Sequence, residues 1–230
     1  FGFDFLSLAV LGFGLLLSFS VMLSLMGSRL PIIDIGHAFL VLQRLVEAGT
    51  YVFAALFAAR LFGLERHAPL VWGCAAACAV AALIVGASLT GVLTGAAQAL
   101  AMHLVFSLVK GIAPSLLWLC WASLYARMDM RHVLMYYLLA NVASACLTLV
   151  LSLIPLSLPV VAVCATLPLA SAWLLGRATA AIDRAPFAHG ETVSERYRFP
   201  TAPVVLMAVF AFINVFSRDV LPTADRVYAT

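Results

Sequence analysis

Two groups of residues in this sequence have the types and spacing to do chemistry: Arg44 with Glu47, three residues apart, and His103, Ser107 and Lys110, four and then three apart. Such spacings gather side chains onto one face of a helix, so each group should form a stripe. Both stripes are embedded in apolar sequence, with Ala38-Phe39-Leu40 before the first and Tyr51-Val52-Phe53 after it. A charge at the centre of a membrane helix costs about 2.5–3.5 kcal/mol on the insertion scale, so neither stripe should face lipid. Two arrangements satisfy that requirement. In one, Glu47 neutralises Arg44 or Lys110 and the group only fixes packing, because buried charges must be paired or reach water. In the other, two cations against one anion line an outward cavity suited to a small anionic ligand such as a carboxylate. Snorkelling of Arg44 would weaken that charge balance.

The elements that must position these stripes are membrane helices. The 230 residues are 65% hydrophobic and 10% charged, with mean hydropathy +1.11, whereas a water-soluble domain carries about 25% charged residues. The sequence reads as an all-α polytopic membrane protein embedded in the lipid bilayer. Hydropathy marks seven spans, at about 5–27, 38–62, 69–87, 101–125, 132–153, 157–176 and 201–218. The stretch 88–100 reads either as an external loop or as the outer turns of the fourth helix. The first run lacks a basic leader and is too long for a signal peptide, so it counts as a membrane helix. The chain starts at Phe1 without a methionine and is expected to be a segment of a longer protein.

Basic residues resist translocation. The connections after helices 2, 4 and 6 hold Arg60, Arg66, Arg127, Arg131, Arg177, Arg184, Arg196 and Arg198, while those after helices 1, 3 and 5 hold only Arg29. The expected location is therefore the cell membrane, multi-pass, with a cytoplasmic N-terminus. Residues 1–176 form a six-helix transmembrane bundle, 177–200 a cytoplasmic linker, and 201–230 the first helix of a truncated second half. This order resembles a six-helix major-facilitator-like half-bundle plus a seventh transmembrane helix. The charges fall on helices 2 and 4 and none lies inside helices 3 and 6, which predicts internal places for the former and peripheral places for the latter. Gly111 and Pro114 predict a kink just past Lys110.

A more specific resemblance lies at the end of helix 4, "WLCWASLYARMD". Trp121, Tyr125, Arg127 and Asp129 resemble a tryptophan, tyrosine and arginine–aspartate pattern of membrane-embedded LuxR-type helix-turn-helix regulators. "RYRFP", Arg196 to Pro200, is similar to that family's entry to its second half. Relatives often carry a small–acidic pair after the tryptophan, where this chain has Ala122-Ser123. An aromatic belt at the membrane interface would explain Trp121 and Tyr125 alone, but not the combined pattern. The resemblance implies the sensory, signal-input membrane region of a transcriptional regulator. It implies contact with DNA only through a domain absent from this segment.

The rival reading is the N-terminal half of a major-facilitator-type small-solute transporter, and a third is a structural membrane subunit. The carrier signature after helix 2 is at best degenerate here, with Gly63, Glu65 and Arg66 in "ARLFGLERHAP". No zinc-protease histidine pair, phosphate loop, carboxylate pair or nucleophile with its base is present, so no enzyme and no cofactor is expected. The five cysteines, all inside apolar runs, read as buried small side chains, and no residues have metal-ligand spacing.

Overall fold

Long apolar runs without water to satisfy their peptide groups must bond internally, which favours helix throughout. In the computed structural model, which describes residues 3–27, 36–56, 63–89, 96–128, 130–155 and 157–184, the regular elements are helices, with no strand among the described residues. They are α1 (Phe3–Gly27), α2 (Gly36–Leu56), a 3-10 turn (Leu64–Arg66), α3 (Ala68–Leu89), α4 (Ala96–Tyr125), α5 (Met130–Leu153) and α6 (Leu158–Arg184). Five of them, α1, α3, α4, α5 and α6, hold a described stretch long and apolar enough to cross a membrane. The seventh span at 201–218, the remainder of the linker and the RYRFP stretch lie outside the described residues.

Two boundaries differ from the sequence reading. Residues 96–100 belong to α4, as its first turns. The linker expected from 177 instead begins as helix, because α6 runs on to Arg184. Its last turns, Ala178-Thr179-Ala180-Ala181-Ile182, are good helix formers for the most part, and Ala178 and Ile182 are buried. Arg177, one of the arginines that suggested a loop, sits on the outside of a continuing helix. α4 likewise runs unbroken through Pro114, which has no N–H to offer the carbonyl of Lys110.

The helices pack as an arc in the order α5–α1–α6–α3–α4–α2. Weaker contacts of α1 with α4 and α3, and of α4 with α6, close the inner four into a bundle. Helices α3 and α6 are thus the central pair of the arc, rather than simply peripheral, although each keeps an exposed apolar face. Each of them holds on to two neighbours, while α2 packs chiefly on α4 and α5 chiefly on α1. Only 17% of the α5 span is buried, against 44–50% of the other four, so α5 is the most loosely covered.

This order is unchanged when α1–α3 and α4–α6 are exchanged, and the match extends to single residues. At the α1–α5 crossing, a Cβ on Gly14 would lie 3.1 Å from the Ala140 carbonyl oxygen and 3.4 Å from Ala143 Cβ. At the α4–α2 crossing, a Cβ on Gly111 would lie 3.2 Å from the Gln43 carbonyl oxygen and 3.0 Å from Val46 Cβ. Each glycine is followed four residues later by a serine whose hydroxyl donates to the glycine carbonyl at 2.9 Å, Ser18 to Gly14 and Ser115 to Gly111. Positions 14 and 111, 18 and 115, 43 and 140, and 46 and 143 are all 97 apart. Tyr125 near the end of α4 reaches Ala9 near the start of α1, so these counterparts run antiparallel and the repeat is inverted. Glycine is what lets the backbones approach so closely at both crossings.

Candidate functional site

The helices that carry the two sequence-predicted stripes, α2 and α4, pack on each other. Their closest approach is at Gly111, so Lys110 and Glu47 each stand one residue from it, beside Gly111 and Val46. Both side chains are half-buried, while Gln43 and Ser107 are buried. The Lys110 ammonium lies 5.4 Å from the centroid of the Phe106 ring, a cation–π contact that moderates the charge without removing it. Arg44 and His103 take their places on α2 and α4, but their side chains, like the whole of Asp129, lie outside the described residues.

The other sequence-predicted group, at the end of α4, is built inward rather than toward an interface. Trp121 is fully buried and Tyr125 is 6% exposed, which removes the aromatic-belt explanation for both. Trp121 Nε1 donates to Ser171 Oγ at 3.0 Å, and Ser171 Oγ donates to the Gly12 carbonyl at 2.7 Å. Gly12 is needed there, since a Cβ would meet the Trp121 ring at 2.5 Å. The Tyr125 hydroxyl donates to the Ala9 carbonyl at 3.1 Å. Phe13 of α1 meets Trp118, Tyr125 and Tyr137 at centroid distances of 5.2, 5.5 and 6.0 Å, fastening α1, α4 and α5 at one level.

Arg127, one step beyond this aromatic group, ties three parts of the chain together. Its Nη1 lies 3.5 Å from Glu65 Oε1 in the 3-10 turn, and its Nη2 lies 2.5 Å from Asp183 Oδ1 in the last turn of α6. Arg66 reaches the same Asp183 oxygen at 2.9 Å. Ser123 donates to Glu65 Oε2 at 2.5 Å and accepts from the Gly63 N–H at 3.2 Å. Gly63 has φ +88°, a left-handed conformation that side chains disfavour, and this sets the turn that delivers Glu65. The Glu65 side chain is 1% exposed and that of Arg127 10%, so their pair is buried, whereas Arg66 at 59% remains in the open.

Glu65, Ser123, Ser171 and Asp183 were not among the sequence candidates. The signal for Glu65 was present as the acidic member of a degenerate Gly–acid–base run, but its partner lies 62 residues away. Nothing in the sequence points Ser171 at Trp121. No set of three metal-ligating side chains is gathered among the described residues. No family model matches the chain, and neither curated proteins nor solved structures provide a match.

Proposed function

We propose that this chain is the signal-input membrane region of a LuxR-type transcriptional regulator, and that its α2–α4 polar crossing receives a small anionic ligand. The reading rests on the resemblance carried by Trp121, Tyr125 and Arg127. One structural observation favours a receptive cavity over a packing device. The inverted repeat makes the same crossing between α1 and α5 without charge, with Phe13, Ala140 and Ser144 at the positions equivalent to Lys110, Gln43 and Glu47. Charges on α2 and α4 are therefore not what the crossing needs in order to form.

In this reading the connections rich in arginine face the cytoplasm, as basic residues do. The Arg127–Asp183 tie then joins the ligand-bearing helix α4 to the end of α6, from which the chain continues toward any DNA-binding domain. DNA would be met only through that further domain. A half-bundle of major-facilitator type fits the same observations, because inverted three-helix repeats with a site at their interface are common in carriers. That is the reason to keep the solute-transporter reading as the second one.

The test uses the full-length protein with Glu47→Gln. Unchanged membrane abundance with altered transcription from a reporter is the expected result. Solute uptake into vesicles that depends on Glu47, with transcription indifferent to it, would sink the regulator in favour of the carrier.

A further inference from the structure

The outer surface of the α3–α6 pair carries a feature that neither the polar crossing nor the Arg127 tie uses. The two helices run antiparallel, as Arg66 at the head of α3 meeting Asp183 at the end of α6 shows. They touch at Gly86 and Val161, so closely that a Cβ on Gly86 would collide with the valine. Following each helix away from that contact by about 14–15 residues, roughly 21 Å at 1.5 Å per residue, brings Trp72 of α3 level with Gly176 of α6. The other flanks of these helices are taken by α4 and α1, so their exposed faces look out on the same side.

There the two indoles stand open, Trp72 at 45% and Trp173 at 52% exposure. Between and beside them lie Gly73 and Gly176, where an added Cβ would meet nothing within 4 Å. On this placement the two exposed tryptophans and the two open glycine positions outline a shallow notch at this end of the pair. Arg177 rises at its edge, its guanidinium carbon 5.3 Å from the centroid of Trp173. Arg66 and His67 are exposed at the same end of the pair. Along the membrane-crossing direction the surface continues as Ala76, Val80 and Leu83 on α3 and Val163 on α6, all exposed.

We propose that this notch binds the headgroup of an anionic phospholipid. A guanidinium held beside an indole by a cation–π contact can still offer its N–H edge, which matches phosphate oxygens in bidentate fashion. Tryptophans at the boundary between hydrocarbon and headgroups are well placed to hold the glycerol region. The apolar face beyond them covers the acyl chains. The nearby carboxylates do not cancel the attraction: Glu65 is buried against Arg127, and Asp183 is shared by Arg127 and Arg66. A basic residue near an anionic lipid surface contributes about 1 kcal/mol, so the aromatic walls and the notch must add the selectivity. The proposal needs only that α3 and α6 cross the membrane. It stands whether or not the chain serves a regulator.

The experiment is native mass spectrometry of the full-length protein, purified in detergent with equal amounts of phosphatidylglycerol and phosphatidylcholine. Wild-type protein should retain phosphatidylglycerol several-fold over phosphatidylcholine. Arg177→Gln should bring the two to parity, while Arg177→Lys should keep part of the preference. Gly176→Leu, which fills the notch and leaves every charge in place, should lower total lipid retention. Millimolar inorganic phosphate should leave the bound lipid in place. Equal retention of both lipids by wild type, or an unchanged preference in both Arg177→Gln and Gly176→Leu, would overturn the proposal. Displacement of the lipid by phosphate alone would overturn the lipid as its source.

Discussion

The two glycine crossings are made by the same backbone geometry and furnished with opposite chemistry. At α1–α5 the residues around Gly14 are Phe13, Ala140, Ala143 and Ser144, and Ser18 Oγ reaches Ser144 at 3.2 Å to its hydroxyl and 3.3 Å to its carbonyl. At α4–α2 the equivalent places around Gly111 hold Lys110, Gln43, Val46 and Glu47. Small residues and a backbone-directed serine are thus enough to join two helices here. Whatever the charged version is for, it departs from a packing solution that the same chain already possesses.

Putting a charge where the chain has none should have the largest effect. Ser144→Glu is expected to lower membrane abundance by an amount equivalent to about 2.5–3.5 kcal/mol, the cost of a charge at a helix centre. Equal tolerance of glutamate at both crossings, measured by membrane fractionation, would remove the distinction between them. Next come the glycines themselves. Gly14→Leu and Gly111→Leu should each destabilise by roughly 1–3 kcal/mol through overpacking, and by similar amounts, read as melting temperature in detergent. A large effect at one and none at the other would break the symmetry of the repeat.

The comparison is sharpest in a transplant. Gln43→Ala/Glu47→Ser/Lys110→Phe gives α2–α4 the furnishings of α1–α5. Abundance should stay within about twofold, while the response to signal falls about tenfold, equivalent to ~1.4 kcal/mol of coupling. A transplant that does not insert would return the charges to a scaffolding role. The smallest effect belongs to the serines: Ser18→Ala should cost about 0.6 kcal/mol, typical of a hydrogen bond between membrane helices. Ser115→Ala should cost less, since no cross-helix link from Ser115 is found among the described residues.

The helices themselves were legible because apolar runs of this length admit little else. The pairing of α2 with α4 could also be foreseen, since charges in both had to leave lipid. The arc was not. Nothing in α3 and α6 reveals that Gly86 meets Val161; their lack of charge pointed to an outward face, which each of them keeps, but not to their packing on each other in the middle of the arc. The end of α6 was misread because arginines and an aspartate in "GRATAAIDR" look like a loop until Arg66 and Arg127 supply partners for Asp183. The repeat was hidden for a related reason: at the 97-residue offset one glycine pair, Gly14 and Gly111, and one serine pair, Ser18 and Ser115, coincide, and the other identities are scattered leucines and alanines. Trp121 and Tyr125 drew attention as part of a pattern, and the packing shows them as anchors for α1.

The hydroxyl of Ser123 against the Glu65 carboxylate has a consequence for how sequences of this kind can vary. The space beside Arg127 is filled by one carboxylate that arrives from the turn before α3, and position 123 serves it as a donor. An acid at 123 would crowd a second negative charge into the same buried place. The two positions should therefore trade identities across natural variants: a chain with an acid at 123 should carry a neutral, hydrogen-bonding residue at 65, and a chain with an acid at 65 should keep serine or threonine at 123.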